Sequence, residues 1–196
     1  MSFSRRNFWI GALIVLAAGI TTGRLAAGHF FPYQEVHKTA ASWKEIYNSP
    51  QGLSRGVDAV VLATVAEVVP GRTATSENGE DSLSFELVEL DVVRGLKGMK
   101  AGGRITLERA AETESGFFLD MDGGPFEIGE TYLLFLQRQE DGDYFYQVNH
   151  QGRFRVANDR LLAADPEDPV AARFHRRPVA QGLEMVRAGL RGRTRG

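Results

Sequence analysis

Three carboxylates stand close together around a pair of glycines, in the segment Asp120-Met121-Asp122-Gly123-Gly124-Pro125-Phe126-Glu127. Oxygen ligands at alternate positions followed by glycine are typical of the beginning of a calcium-binding loop. The full pattern, Asp-x-Asp-x-Asp-Gly with a glutamate at its twelfth position, is not present here. A solvated acidic turn accounts for the same residues and is the interpretation we prefer. We therefore expect no cofactor, and we keep calcium bound by Asp120, Asp122 and Glu127 as the alternative.

Histidine is the residue type best suited to act as a general base near neutral pH. Among the four histidines, His150 has the most polar surroundings, since it follows Asn149 at the end of a predicted strand and precedes Arg153. No metalloprotease motif of the type His-Glu-x-x-His accompanies it. The sequence therefore favours a surface histidine near a turn. A hydrolytic or metal-dependent enzyme that uses His150 or the loop of Asp120 and Asp122 is kept as the alternative function.

Two tyrosines, Tyr144 and Tyr146, are predicted to share one face of a strand, because residues two apart point to the same side of a sheet. Aromatic rings beside amide and guanidinium groups bind sugars or peptides, and small barrels of the OB type bind oligomers on such a face. Core packing and cross-strand pairing account for the tyrosines equally well. The candidate ligand-binding residues are Tyr144, Tyr146, Asn149, His150 and Arg153.

The composition excludes several classes of protein. Cysteine is absent from all 196 residues, which removes disulfides, zinc–thiolate sites and cysteine nucleophiles. The formal net charge is -2, so the chain as a whole is neither a polycation that coats nucleic acid nor a polyanion that stays unfolded. No glycine-rich phosphate-binding motif is present. We therefore expect no nucleic-acid partner.

The first residues have the pattern of an export signal. Ser4-Arg5-Arg6-Asn7-Phe8 is followed by an apolar run that reaches Ile20, which is too short to span a bilayer comfortably. The segment resembles the twin-arginine translocation signal, in which Arg5, Arg6 and Phe8 are the motif residues. An ordinary secretory signal that begins with two arginines is the alternative. Both place the protein in the periplasm or another extracytoplasmic space, tethered to the membrane if the signal is not cleaved.

Behind the signal, hydrophobic periodicity predicts an N-terminal helix, a series of strands and a C-terminal helical segment. The N-terminal helix is expected over residues 33–47 and ends at residues 48–52. The alternation of the second strand changes phase between Leu87 and Val88, which indicates a bulge or a strand that bends across a barrel. The first strand is so apolar that we expect it to be buried over most of its length. The strands are predicted at residues 59–69, 83–94, 104–108, 131–137 and 144–148, with a hairpin over 153–162.

These elements define the predicted fold class and domain organisation. The class is mostly β (α+β), with a small antiparallel barrel of five or six strands between an N-terminal and a C-terminal helix. Residues 70–82 are expected to form a mobile polar loop, and the C-terminal helix to be interrupted at Pro178. The predicted segments are the export signal (1–28), a helical lead-in (29–57), the barrel domain (58–164), the C-terminal helical segment (165–190) and a basic tail (191–196).

Three strand sequences resemble a group of small exported bacterial proteins. They are Gly56-Val57-Asp58-Ala59-Val60-Val61-Leu62-Ala63-Thr64-Val65, Val92-Val93-Arg94-Gly95-Leu96-Lys97-Gly98 and Phe126-Glu127-Ile128-Gly129-Glu130-Thr131-Tyr132-Leu133-Leu134-Phe135-Leu136. The resemblance implies an OB-like barrel, related in shape to netrin-like and metalloproteinase-inhibitor domains. The inhibitors of that group act through an N-terminal cysteine, which this chain lacks. The resemblance therefore implies a fold and does not imply protease inhibition.

Taken together, these observations favour an exported, noncatalytic module that binds a protein, peptide or glycan of the cell envelope. The carboxyl-terminal segment adds one further candidate contact, since it is rich in arginine and contains a single glutamate after residue 173. Such a segment contacts anionic lipid headgroups or forms an ordinary solvated face. Membrane contact is therefore expected, if it occurs, through an uncleaved signal or through these arginines: Arg173, Arg176, Arg177, Arg187, Arg191, Arg193 and Arg195.

Overall fold

Helices flank a β-sheet in the residues that the computed structural model describes, which are 46–75, 82–111, 124–140 and 144–192. The mostly β class, with one helix before the strands and one after them, is confirmed, although the described residues hold seven strands where five or six are predicted. In chain order the elements are α1 (Pro50–Gly56), β1 (Ala59–Thr75), β2 (Ser82–Lys97), β3 (Arg104–Ala110), β4 (Thr131–Arg138), β5 (Phe145–Gln147), a 3-10 turn (His150–Gly152), β6 (Arg153–Ala157), β7 (Arg160–Ala163), a second 3-10 turn (Ala171–Arg173) and α2 (Val179–Arg191).

Five of the strands pair in a closed ring in the order β1-β2-β3-β5-β4, because β4 pairs with both β5 and β1. Strands β6 and β7 continue the sheet from β4. An odd number of strands cannot alternate in direction all the way round a ring, so one neighbouring pair must run parallel. That pair is β3 and β5, which meet at Leu107 and Phe145. The predicted purely antiparallel arrangement is therefore wrong at this one junction.

The ring separates two apolar clusters. Strands β1 and β4 contribute to both, since Val60 and Leu133 face one side while Val61 and Leu134 face the other. This explains their unbroken apolar sequences. The prediction that β1 is buried over most of its length holds only for its first part, since its buried residues are Ala59, Val60, Val61, Ala63 and Val65. The inner cluster draws on all five ring strands and includes Ala59, Val61, Val88, Leu90, Ile105, Leu107, Phe126, Tyr132, Leu134, Leu136 and Phe145. The helix-side cluster includes Leu53, Val60, Leu133, Phe135, Phe154, Leu161, Phe174, Leu183 and Val186.

A short helix precedes the sheet at the place where the sequence predicts a second short helical or turn stretch, residues 53–57. Helix α1 begins at Pro50, inside the segment predicted to end a helix, because the Ser49 hydroxyl caps it by accepting a hydrogen bond from Gly52 N at 3.0 Å. Proline at the first position of a helix loses no hydrogen bond. The predicted helix over residues 33–47 lies outside the described residues except for its last two, Ile46 and Tyr47, which are not helical.

The C-terminal helix follows the predicted break. Helix α2 begins at Val179, directly after Pro178, and buries Val179, Leu183 and Val186 at the four- and three-residue spacing of one helical face. The segment before Pro178 forms a 3-10 turn rather than a longer helix. Of the helices in the described residues, none is long and apolar enough to cross a lipid bilayer.

Strands β1 and β2 form a longer hairpin than predicted. The segment 70–82, expected to be a mobile loop, is paired up to Thr75 on one strand and from Ser82 on the other. Small residues such as threonine fit a strand as well as a loop, so polarity alone is misleading here. The bulge predicted between Leu87 and Val88 is wrong in position, since these residues pair with Val69 and Val68 without a register shift. The nearest shift falls between Val65 and Glu67 on β1.

The segment that ends β2 also anchors α1. The Lys97 ammonium donates to the carbonyl oxygens of Arg55, at 2.6 Å, and Val57. A cation at this end of a helix satisfies carbonyls that have no partner within the helix. Gly98 has a φ of 71°, a conformation that favours glycine. The Leu-Lys-Gly sequence noted above therefore ends a strand and caps a helix.

Candidate functional site

The predicted calcium ligands are only partly within the described residues. Asp120 and Asp122 lie outside them, and Glu127 is exposed in the turn before β4. Among the side chains that the structure does describe, no group of three or more histidine, aspartate or glutamate residues is placed to hold a metal ion. Calcium bound by these three residues stays a prediction.

The predicted ligand-binding residues do not form one exposed face. Tyr146 on β5 is 37% exposed, while Phe145 and Gln147 point to the buried side, as the alternation requires. Tyr144 is half-buried just before the strand. In contrast, Asn149 and Arg153 are buried, at 0% and 3% exposure. Their side chains therefore lie in the protein interior. Arg153 also lines a cavity that is described below.

His150 belongs to a polar cluster centred on Asp168. Its Nε2 lies 3.4 Å from Asp168 Oδ2. Burial alone would raise the pKa of Asp168, but hydrogen bonds from Ala171 N, the Gln151 amide, Val170 N and His150 outweigh it and hold that pKa below its usual range. The carboxylate thus caps the turn that follows it. This arrangement gives His150 a structural partner and adds no observation in favour of a catalytic role.

Gln151 is a residue that the sequence reasoning missed. Its side chain, 1% exposed, accepts from Tyr47 N at 3.0 Å and donates to Tyr47 O at 3.0 Å and to Asp168 Oδ2 at 2.9 Å. Two of these bonds join positions 104 residues apart in the chain. No local pattern marks such a residue, because its partners come from distant segments.

The sequence reasoning also missed a Gly-x-Ser-x-Gly match, Gly52-Leu53-Ser54-Arg55-Gly56. In hydrolases this motif places an exposed serine on a sharp turn between a strand and a helix. Here the motif lies inside α1, Ser54 is 0% exposed, and its hydroxyl donates to Pro50 O at 2.7 Å. The structure therefore assigns Ser54 to helix packing rather than to nucleophilic chemistry.

A concave site lies beside β6 and β7. We call it the arginine cavity, because three of the residues that line it are arginines. Its volume is about 470 Å³, within the range of small-molecule sites in proteins. The lining residues come from the turn before β4, from β4, β6 and β7, and from the segment before α2. They are Pro125, Tyr132, Arg153, Arg155, Leu162, Ala163, Ala164, His175 and Arg176.

Arg153 forms a rigid, buried wall of this cavity. Its guanidinium donates to Gly124 O at 2.5 Å and to Pro125 O at 2.6 Å. The guanidinium carbon also lies 3.8 Å from the ring centroid of Phe126 and 4.7 Å from that of Tyr132, which are cation–π distances. The predicted binding residue Arg153 is thus held in one position, where its charge acts on the cavity.

Arg155 and Tyr132 share a carboxylate. Arg155 Nη1 donates to Glu130 Oε1 at 2.9 Å, and the Tyr132 hydroxyl donates to Glu130 Oε2 at 3.0 Å. Burial raises the pKa of Tyr132, and the interaction with Arg153 only partly opposes this. The hydrogen bond and charge of Glu130 raise the pKa of Arg155. The phenol therefore stays protonated and Arg155 stays charged at neutral pH.

His175 and Arg176 close the other side of the cavity. Ala163 N donates to His175 Nδ1 at 3.2 Å, so the neutral imidazole carries its proton on Nε2. Arg176 has a φ of 61°, an uncommon conformation for a residue with a side chain. Two hydrogen bonds hold its backbone. Arg176 N donates to Leu161 O at 2.6 Å, and Arg160 Nη1 donates to Arg176 O at 2.7 Å. Within the described residues, its guanidinium makes no hydrogen bond or ion pair.

A second buried charge lies elsewhere, on β3. Glu108 is 4% exposed and accepts from Arg72 Nε and Nη2, at 2.8 and 2.9 Å, and from Gln139 Nε2 at 2.8 Å. The bonds from Arg72 hold the pKa of Glu108 below its usual range, against the effect of burial. Since the three residues lie on β1, on β3 and just after β4, this cluster braces the long hairpin against the ring.

We expect Glu108→Gln to lower the free energy of unfolding at pH 7 by about 1–2 kcal/mol, because a charge-assisted bidentate pair is lost. Because the pKa of Glu108 is lower in the folded state than in the unfolded state, its contribution to the free energy of unfolding is complete above the unfolded-state pKa. It disappears as the pH falls through the folded-state value. Urea denaturation between pH 7 and pH 3 should therefore show the wild type converging on the variant.

The control for this prediction is Asp91→Asn. Asp91 pairs with Arg104 at 2.9 Å, but both side chains are more than half exposed, and such surface pairs contribute about 0–1 kcal/mol. If wild type and Glu108→Gln differ in free energy of unfolding by the same amount over the whole pH range, the stabilising role assigned to ionised Glu108 is wrong.

Comparison with known proteins yields little. No protein-family model matches the chain. A segment of 89 residues is 33% identical to part of the glucose-6-phosphate isomerase of Methylococcus capsulatus. The match covers 45% of this chain and 16% of the isomerase. The similarity is therefore to a small part of that protein, and it does not assign the chain to a family.

Proposed function

We propose that the chain is an exported, noncatalytic binding module of the cell envelope, built on an OB-like barrel, with a protein, peptide or glycan as its partner. The observation that carries this proposal is the arginine cavity. It is a concave surface of about 470 Å³ whose polar lining residues all carry hydrogen-bond donors, and the fold fixes the buried Arg153 among them. Such a site is suited to recognition.

The strand order supports the finer description of the fold. In an OB-fold, five strands form a partly open Greek-key barrel. The ring β1-β2-β3-β5-β4 has that number of strands, and its inner cluster receives side chains from every one of them. The strands β6 and β7 would then be an extension of the barrel, and the arginine cavity lies against that extension.

A noncatalytic role is supported by the geometry of the side chains considered above as candidates for chemistry. Ser54 is enclosed in a helix, and the carboxylate beside His150, that of Asp168, caps the turn that follows it. The enzyme alternative, based on His150 or on the loop of Asp120 and Asp122, gains no support from the described residues. The proposed ligand-binding role of Tyr146 stays open, since its ring is partly exposed.

The isomerase match contributes one probe. The name of that protein refers to glucose 6-phosphate, which is an anionic sugar. We do not extend the isomerase activity to this chain, because the match covers 16% of the isomerase. Glucose 6-phosphate nevertheless combines a glycan with a group that arginines bind, so it belongs in the ligand panel.

Export is tested by cell fractionation of the full chain in a bacterium that has the twin-arginine pathway. We expect the wild type in the envelope or periplasmic fraction, and we expect Arg5→Lys combined with Arg6→Lys to stay in the cytoplasm. A double variant that is exported as well as the wild type would indicate the ordinary secretory route. A wild type that stays in the cytoplasm would contradict export.

Binding is tested on the purified protein with a panel of envelope glycans, peptides and small sugars. A ligand raises the melting temperature by mass action if it binds the folded state. We expect at least one panel member to do so and none to be converted. Turnover of any panel member, abolished by substitution of His150, would favour the enzyme alternative.

A further inference from the structure

We propose that the arginine cavity binds the anionic end group of a small ligand, phosphate or carboxylate, through Arg155, Arg176 and His175. This inference rests on the proposed binding function and adds to it the chemical class of the ligand. The three residues reach the cavity from β6 and from the segment before α2, so they surround the site from two sides.

The charge balance of the cavity favours an anion. Three guanidinium groups line it, and the carboxylate in contact with them is that of Glu130. Glu127 also acts on Arg155 through its charge. Even with both carboxylates counted, three positive charges stand against two negative ones. Because Arg153 is almost completely buried, its charge is weakly screened by solvent and adds to the field inside the cavity.

Arg176 is the residue best placed to contact the ligand directly. Its guanidinium makes no hydrogen bond or ion pair with the described part of the chain. Its backbone is nevertheless fixed in a strained conformation by Leu161 and Arg160. Strained backbone that the surrounding structure maintains is concentrated at binding and active sites. The fold therefore fixes the backbone of Arg176 at the edge of the cavity, and its exposed guanidinium is available to a ligand.

His175 adds a neutral donor beside these charges. Since its Nδ1 accepts from Ala163 N at 3.2 Å, the proton of the neutral ring is on Nε2, which is the atom left to donate to a ligand. Arg155 supplies a third donor group, because Glu130 is within bonding distance of only one of its nitrogens, Nη1. Arginine forks match the oxygens of phosphate and carboxylate.

The apolar residues that line the cavity limit the size of the body to which the anionic group is attached. Pro125, Leu162, Ala163 and Ala164 line the cavity with apolar surface. A cavity of about 470 Å³ accommodates a body about the size of a monosaccharide in addition to the anionic group. Inorganic phosphate alone should therefore bind more weakly than an anionic sugar.

The test is isothermal titration calorimetry, which measures the affinity of the full-length protein for four probes at low ionic strength. Glucose 6-phosphate and glucuronate represent the two sources of the anionic group, inorganic phosphate lacks the body, and glucose lacks the charge. We expect at least one anionic sugar to bind at least tenfold more tightly than glucose. The ratio of the glucose 6-phosphate and glucuronate affinities then distinguishes phosphate from carboxylate.

Substitutions locate the site. Arg176→Gln and Arg155→Gln should each weaken the anionic sugar at least tenfold, whereas Arg94→Gln, an exposed arginine on β2, should leave it unchanged. Glu130→Gln removes the competing carboxylate and should strengthen binding severalfold. A loss of folding cannot strengthen binding, so this variant still tests the site if one of the arginine variants is unstable.

The outcomes separate the two proposals. If no anionic probe binds better than glucose, or if Arg176→Gln and Arg155→Gln bind like the wild type, the anion site is wrong. If at the same time a neutral glycan or a peptide raises the melting temperature, the binding function survives without it. If nothing in either panel binds, both proposals fail.

Discussion

Replacement of Phe174 by alanine is expected to destabilise the fold by about 3–5 kcal/mol, the usual range for a phenylalanine removed from a packed core. Phe174 is 0% exposed, and its ring centroid lies 4.9 Å from that of Phe154 and 5.7 Å from that of Phe135. The three rings join the segment before α2 to strands β4 and β6. Loss of one ring leaves a cavity that the two others cannot fill without moving.

Urea denaturation followed by circular dichroism measures this effect. Phe174→Leu keeps most of the volume and should cost about 1–1.5 kcal/mol. Ile128→Ala is the control, because Ile128 is apolar but 67% exposed, and its removal should change stability by less than about 0.5 kcal/mol. An alanine variant at position 174 that is within about 1 kcal/mol of the wild type would show that this segment does not pack on the sheet.

Much of the sheet can be predicted from the sequence because the information is local. Dense β-branched sequence predicts β1, and the apolar run Thr-Tyr-Leu-Leu-Phe-Leu-Gln predicts β4 with an error of one residue. The first part of β1 and most of β4 are buried on two faces, and an unbroken apolar sequence is the expected result. The predicted break at Pro178 is also local, since proline cannot donate the hydrogen bond that a helix interior needs.

The errors have a common physical origin, because each depends on something outside the segment. The parallel pair of β3 and β5 follows from closing a ring of five strands, which no single strand reveals. The hairpin reaches Thr75 because Ser82 and its neighbours supply a pairing partner. Helix α1 begins at Pro50, before the short helical stretch predicted at residues 53–57, because Ser49 outside that stretch caps it.

The site was the least predictable feature. The sequence makes Arg153 a candidate because it is close to Tyr146 along the chain, whereas its contacts in the structure are with Gly124, Pro125 and Phe126. In the sequence, Arg176 is one of several C-terminal arginines. Its importance follows from a backbone angle and a cavity, and neither can be read from a sequence.

Replacement of Gln151 by leucine is expected to cost about 2–4 kcal/mol, the second large effect. Leucine has a similar volume but cannot replace the three hydrogen bonds to Tyr47 N, Tyr47 O and Asp168 Oδ2. A buried donor or acceptor that loses its partner costs about 1–3 kcal/mol. Tyr47 is half-buried, so water recovers part of that loss, and the expected total is less than three full penalties.

Hydrogen exchange gives this prediction a readout that simple loss of packing would not reproduce. The Tyr47 amide donates directly to Gln151 Oε1, so its protection should fall in Gln151→Leu by more than the global loss of stability requires. Amides of β4, such as those of Leu133 and Leu134, should follow the global change alone. Glu167→Gln, an exposed change beside Asp168, is the matched control and should leave the Tyr47 amide as protected as in the wild type. If Gln151→Leu behaves like that control, the segment before α1 is held to the domain by other contacts, and the assigned role of Gln151 is wrong.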